Sequence, residues 1–252
     1  MTPQLEAFKD GLRQLGYLEG KNISLEFRSA EGRYESLRGL ADELVALKVD
    51  LIVAFGTPPS QAAKAATRTI PIVMSAVGDP IGSGLVTSLA RPGANVTGTS
   101  NLSPPLVVKR LELLKESHPE LRRVGLFANP ANPAQAATVR AVEDAARSLK
   151  VEIFQYPVRS TDAIRAAFSS MRTDRIEGLV LGNDTLLIGN SALIAQLAEK
   201  QRIRSSGNRE FAEAGGLIGY GSVADVNRLS ASYVAKILKG AKPGELPIEQ
   251  PS

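Results

Sequence analysis

Gly56, Thr57 and Pro58 stand where the apolar run "LIVAF" (51–55) stops and an alanine-rich stretch begins. A strand that ends in a small turn and leads into a helix offers backbone N–H groups and the positive end of the helix dipole to an anion. That anion can be a nucleotide phosphate, the oxyanion of a reaction, or the carboxylate of a carried solute. Polar residues recur behind other apolar runs. Asp79 follows 70–74, Asn101 and Ser103 follow 95–100, and Asn129 follows "RRVGLFA". Asn183, Asp184 and Thr185 follow "EGLVLG", and Asn208 and Glu210 follow residues 203–206. Asn, Asp and Thr in such places are also ordinary N-caps and turn formers. Their repetition behind successive strands favours a cleft lined with hydrogen-bonding groups, because ligands of open α/β sheets bind outside the carboxyl ends of the strands.

Reactive constellations are missing. The single histidine, His118, sits in "KESHPEL" at the polar end of a helix, where it reads as a solvated or capping residue. With no cysteine and no second histidine there is no zinc site of the usual type, and no metal is expected. Neither G-x-x-x-x-G-K-[ST] nor G-x-G-x-x-G occurs, and no G-x-S-x-G elbow presents a serine. "GDPIGSG" (78–84) is glycine-rich but carries no lysine. The acids are dispersed, without a pair suited to glycoside hydrolysis. No catalytic residue and no cofactor is therefore expected, and the chain reads as a non-enzyme. The net charge of +4 is spread among acids, and Arg122-Arg123 and Arg202/Arg204 are too short for a nucleic-acid stripe. No run approaches the ~20 apolar residues that span a bilayer, and residues 1–15 do not read as a signal peptide.

Periodicity supplies the elements that must position these groups. Leu5, Phe8, Leu12 and Leu15 mark one helix face, and residues 34–48, 59–67, 104–116, 133–149, 161–171, 189–202 and 223–239 read as further helices. "NISLEF" (22–27) alternates as a half-buried strand. Residues 51–55, 70–74, 95–100, 122–128, 151–156, 177–182 and 215–221 read as strands. Strands alternating with helices imply parallel sheets covered on both faces. Two such runs, broken near 100–104, imply an α/β chain of two doubly wound lobes. A doubly wound lobe opens with a central strand, whereas this chain opens with a helix and stops at "PIEQPS" where another strand is expected. The chain is thus expected to be trimmed at both ends or to have a late start.

"GDPIGSGLVTSLARPGANVTGTS", "ELLKESHPELRRVGLFANPANP" and "REFAEAGGLIGYG" resemble the ABC-transporter substrate-binding family of the tryptophan/aromatic amino-acid binding type, within the type I periplasmic binding-protein fold. The resemblance implies two lobes, residues 1–101 plus 219–242 and residues 102–218 plus 243–252, joined by crossing hinge segments and closing on a small ligand. It implies that Thr57 and the helix opening at Pro58 hold a carboxylate, that Asp79 suits a ligand ammonium, and that Asp184 or Glu210 does so from the other lobe. It further implies a membrane permease as partner and a periplasmic or cell-envelope location. Against the family pattern, the leading strand and an export signal are expected to be missing from this sequence, and "RIRSSGN" stands where a more apolar strand is usual. The expected function is the solute-binding component of an ABC import system for an amino acid or aromatic acid. The alternative is a cytoplasmic small-molecule sensor of the same fold. At 5% aromatic residues and no tryptophan, no stacking cage singles out one ligand.

Overall fold

The computed structural model describes residues 3–250. The chain forms two units: unit 1 runs to Asn101 and resumes at Val223, and unit 2 is Leu102–Ser222. Unit 1 begins with α1 (Pro3–Gln14), α2 (Leu37–Ala46), β1 (Ile52–Phe55), α3 (Thr57–Ala66), β2 (Ile72–Val77) and β3 (Val96–Ser100). Unit 2 holds α4 (Ser103–Ser117), β4 (Arg123–Ala128), α5 (Gln135–Leu149), β5 (Glu152–Pro157), α6 (Thr161–Thr173) and β6 (Gly178–Leu181). It continues with α7 (Thr185–Gly189), α8 (Ser191–Lys200), β7 (Arg204–Gly207), α9 (Arg209–Glu213) and β8 (Ile218–Gly219). The chain then returns to unit 1 as α10 (Val223–Leu238).

In unit 1 the described sheet is parallel and ordered β1-β2-β3. Alternation along β2 splits the core between two faces. Ile72, Met74 and Val77 pack with Ile52, Ala54, Val96 and Leu85, while Val73 packs with Leu5, Phe8 and Leu12 of α1 and Ala231 and Val234 of α10. The register of β2 on β3 shifts between Met74 and Val77, where Ala76 takes a left-handed φ of 56°. A Cβ on Gly98 would overlap the Met74 carbonyl oxygen, so only glycine fits beside this bulge. A buried chain of side chains then fixes the end of β2. The Ala76 N–H donates to Thr99 Oγ1 at 3.1 Å, whose hydroxyl lies 2.9 Å from Ser230 Oγ. Ser230 Oγ donates to Ser75 Oγ at 2.8 Å, and Ser75 donates to Asn227 Oδ1 at 2.6 Å.

Unit 2 is wound in both directions from β4, with strand order β5-β4-β6-β7-β8, all parallel. Phe127, Leu179 and Leu181 face Ile164, Phe168 and Met171 of α6 and Ile194 of α8. Val124, Leu126 and Val180 face Val107, Leu111 and Leu114 of α4 and Val142 of α5. Both faces are covered, as a parallel sheet requires.

Four expectations from the sequence are corrected. Residues 22–27 form no strand: Ile23 makes only an isolated bridge to Glu19, and Phe27 is 51% exposed. Alternation marks a face, but a strand also needs a neighbour, and among the described strands β1 is hydrogen-bonded only to β2. Residues 189–202 hold the end of α7 and α8, separated at Asn190. Only Ile218–Gly219 of the expected strand 215–221 pairs with β7, so residues 219–222 stay with unit 2. Residues 243–250, expected in the second lobe, return to unit 1. There Ile248 is buried with Ile72 and Val96, its N–H donates to the Leu89 carbonyl, and Glu249 bridges Thr99.

Candidate ligand site

The sequence-derived residues fall at the carboxyl ends of the parallel strands of each unit. In unit 1, Gly56 caps α3 with φ 87° and ψ 175°, a conformation essentially restricted to glycine, and its N–H donates to the Ser75 carbonyl at 2.8 Å. Pro58 and Pro59 occupy the first turn of α3 and carry no N–H, and the Ser60 N–H bonds back to the Gly56 carbonyl. The helix start therefore offers an anion one amide, that of Thr57, rather than several. Thr57 is 1% exposed and its hydroxyl has no partner among the described residues. Asp79 closes its own turn: Oδ1 accepts from the Gly82 N–H at 2.8 Å. Asn101 is buried, and its N–H donates to the Val77 carbonyl at 3.1 Å.

In unit 2 the residues converge where the strand order reverses. Ligand crevices of open α/β sheets lie at such a switch point, here between β4 and β6. Asn129, one residue beyond β4, and Asp184, three beyond β6, meet across it, with Asn129 Nδ2 donating to Asp184 Oδ1 at 3.1 Å. Asn132 Nδ2 donates to Oδ2 at 2.9 Å, and the Leu186 N–H donates to Oδ1 at 3.0 Å. Asp184 is 2% exposed, so these neutral donors hold a buried carboxylate. It is also the N-cap of α7, which Thr185 opens. Beside it, Asn183 Nδ2 donates to Ser103 Oγ at 3.4 Å, and the Asn183 carbonyl accepts from Gln135 Nε2 at 2.7 Å. Asn208 caps α9 through Oδ1, which accepts from the Phe211 N–H at 3.0 Å. Glu210 Oε1 accepts from Ser222 Oγ at 2.9 Å.

Several buried polar atoms here lack a partner among the described residues: Asn183 Oδ1, Gln135 Oε1, Asn208 Nδ2, Ser206 Oγ and Arg110 Nη2. Leaving such an atom unsatisfied costs about 1–3 kcal/mol, and native proteins keep few of them without a reason. Acceptors at Asn183 and Gln135 and a donor at Asn208, grouped behind three adjacent strands, match a small molecule that both donates and accepts. Arg110, Asn132, Gln135 and Ser206 were not evident in the sequence as site residues. Arg110 had one local signal: it shares a helix face with Val107, Leu111 and Leu114. His118 caps α4, with its Nδ1 3.0 Å from the Ser117 hydroxyl. Among the described residues no group of three or more His, Cys, Asp or Glu is placed to hold a metal ion.

The family model for ABC transporter substrate binding proteins matches residues 1–252. The chain belongs to this family. As a substrate-binding protein it is 30% identical over 253 residues to a tyrosine-binding protein of Clostridioides difficile (strain R20291), with 98% of this chain and 72% of the relative covered. Its structure is similar to that of an ABC domain in complex with L-Trp from Streptococcus pneumonia, at TM-score 0.87 and 25% identity, with 99% and 84% of the two chains covered. It is also similar to a conserved domain protein from Vibrio cholerae, at TM-score 0.89 and 28% identity, covering 100% and 86%. The substrate-binding protein thus has the α/β fold of the type I periplasmic binding proteins. Its family binds solutes rather than transforming them and is typically extracytoplasmic. Among the described residues no helix is long and apolar enough to cross a membrane.

Proposed function

We propose that this protein is the solute receptor of an ABC importer and binds an amino acid, with aromatic amino acids the first class to test. The observation that carries the reading is the set of unpartnered amides beside buried Asp184 at the β4/β6 switch point. An amino acid's ammonium donates to Asn183 Oδ1 and to the Asp184 carboxylate, forming charge-assisted bonds of the stronger kind. Its carboxylate accepts from Asn208 Nδ2. Within unit 1, the Thr57 N–H and hydroxyl are a further carboxylate-holding point, as the family resemblance implies. The positive end of α3 adds a favourable dipole despite the two prolines. Names borne by two relatives, one tyrosine-binding and one seen with L-Trp, support the aromatic class. Closure of the two units on the ligand, which the family resemblance implies, is part of the proposal, as is presentation to a membrane permease outside the cytoplasm. No chemistry is performed on the solute.

A thermal-shift screen over amino acids and small aromatic acids tests the reading, since a ligand at 100 times its Kd stabilises by about 2.7 kcal/mol. L-tyrosine or L-tryptophan should raise the melting temperature, and X-ray scattering at saturation should show compaction. Flat melting curves across the amino acids, or shifts confined to compounds without a carboxylate, would overturn it.

A further inference from the structure

Arg110 is the largest side chain buried almost completely, 1% exposed, on the face of α4 that carries Val107, Leu111 and Leu114. Its Nε donates to the Tyr220 carbonyl at 3.0 Å and its Nη1 to the Leu181 carbonyl at 2.9 Å, while Nη2 has no partner among the described residues. Neither acceptor is a carboxylate. Burial pushes the guanidinium pKa down to about 10, and the negative charge of Glu210 only partly opposes this. Filling the space alone would call for Leu or Met, which carry no desolvation penalty. What the guanidinium does that an apolar residue cannot is hold two carbonyls in a fixed fork.

Both carbonyls stand at places that matter for binding. Leu181 ends β6 and is followed directly by Gly182, Asn183 and Asp184. Tyr220 lies two residues before the chain leaves unit 2 at Ser222, and α4 itself starts one residue after the chain enters. The loop is also held by Gln135, whose Nε2 donates to the Asn183 carbonyl and whose Oε1 a Cβ on Gly182 would strike. We infer that Arg110 is a positioning residue for ligand binding, setting where residues 182–184 leave β6 relative to α4 and to the exit segment 220–222. The inference rests on the reading of Asn183 and Asp184 as ligand contacts, but its geometric part does not need a ligand.

The test uses the full chain carrying Arg110→Met or Arg110→Lys. Hydrogen exchange in the ligand-free protein should accelerate at least tenfold in peptides covering 182–186 and 218–222, with β5 and α6 unchanged. The melting temperature of Arg110→Met should change little, because relief of the buried charge is offset by the two carbonyls left without a donor. Affinity for L-tryptophan or L-tyrosine, measured well below melting, should fall at least tenfold in Arg110→Met and less in Arg110→Lys. Exchange that is unchanged in both segments, or raised uniformly through unit 2 with a lower melting temperature, would overturn the inference. So would wild-type affinity in a variant whose exchange is locally raised. If the unsubstituted chain binds neither amino acid, the proposed ligand class fails, and the exchange pattern alone decides the positioning role. Should Arg110→Met not fold, Arg110→Lys gives the same readouts.

Discussion

Asn208→Ser separates a ligand-binding role for Asn208 from a merely structural one, because the two halves of the side chain do different things. Oδ1 caps α9 by accepting from the Phe211 N–H at 3.0 Å. Nδ2 is buried with no partner among the described residues. Serine caps a helix about as well as asparagine, so the cap survives. Removing the orphaned amide recovers about 1–3 kcal/mol. The smaller side chain leaves ~25 Å³ empty, which at about 24 cal/mol per Å³ takes back ~0.6 kcal/mol. The ligand-free variant should therefore be more stable by roughly 0.5–2 kcal/mol, with about 2–4 °C of melting temperature for each kcal/mol. If Nδ2 is the donor to the ligand carboxylate, affinity should fall by about 1–3 kcal/mol, or roughly 5- to 150-fold. Scanning calorimetry reads the first quantity and isothermal titration with L-tyrosine or L-tryptophan the second. A variant that melts lower and binds as tightly as the wild type would show that Nδ2 serves the fold, refuting its assignment to the ligand.

Thr57→Val removes a hydroxyl with no partner among the described residues, so urea unfolding should change little while ligand affinity drops by about 1–3 kcal/mol. Asp184→Ala strands the amides of Asn129 and Asn132 and the Leu186 N–H. It should destabilise the protein by about 1–3 kcal/mol for each donor left unsatisfied, read as a lower urea midpoint, with Asp184→Asn intermediate. The Arg122 N–H, and with it the Arg123 N–H, holds the Glu177 carboxyl below its usual pKa. A depressed carboxylate stabilises above its unfolded pKa and loses that contribution as pH falls through the folded value. Glu177→Gln should accordingly flatten the acid limb of the stability profile below about pH 4.5, measured by urea midpoints from pH 7 to 3.

The long helices were legible because their apolar faces recur with the helical period: Val107, Leu111 and Leu114 on α4, and Val142 and Ala146 on α5. The strands of unit 2 were legible as apolar runs bounded by turns. Even β7 forms where the sequence reads "RIRSSGN", because β6 and β8 pair with it at both edges, and Ser205 and Ser206 are buried. Residues 22–27 show the converse: alternation without a neighbouring strand leaves an extended segment. At the site, position behind a strand was readable and partnership was not. Asn132 meets Asp184 across 52 residues of sequence, and no local pattern announces such a contact. Arg110 resembles a surface charge until its two carbonyls are seen. The prolines after Thr57 are plain in the sequence, but the single amide left at that helix start depends also on the Gly56 bond to Ser75.

Binding of an amino acid at the strand ends can be tested directly, because the chain contains no tryptophan. L-tryptophan excited near 295 nm, where tyrosine scarcely absorbs, reports its own binding without background from the protein. Titrating the protein into a fixed concentration of L-tryptophan should raise its fluorescence anisotropy to a saturating plateau. Excess L-tyrosine should reverse the rise, and Asn208→Ser and Thr57→Val should each shift it to higher protein concentration. Anisotropy that stays at the free-ligand value, together with no heat from L-tyrosine in calorimetry, would contradict the account.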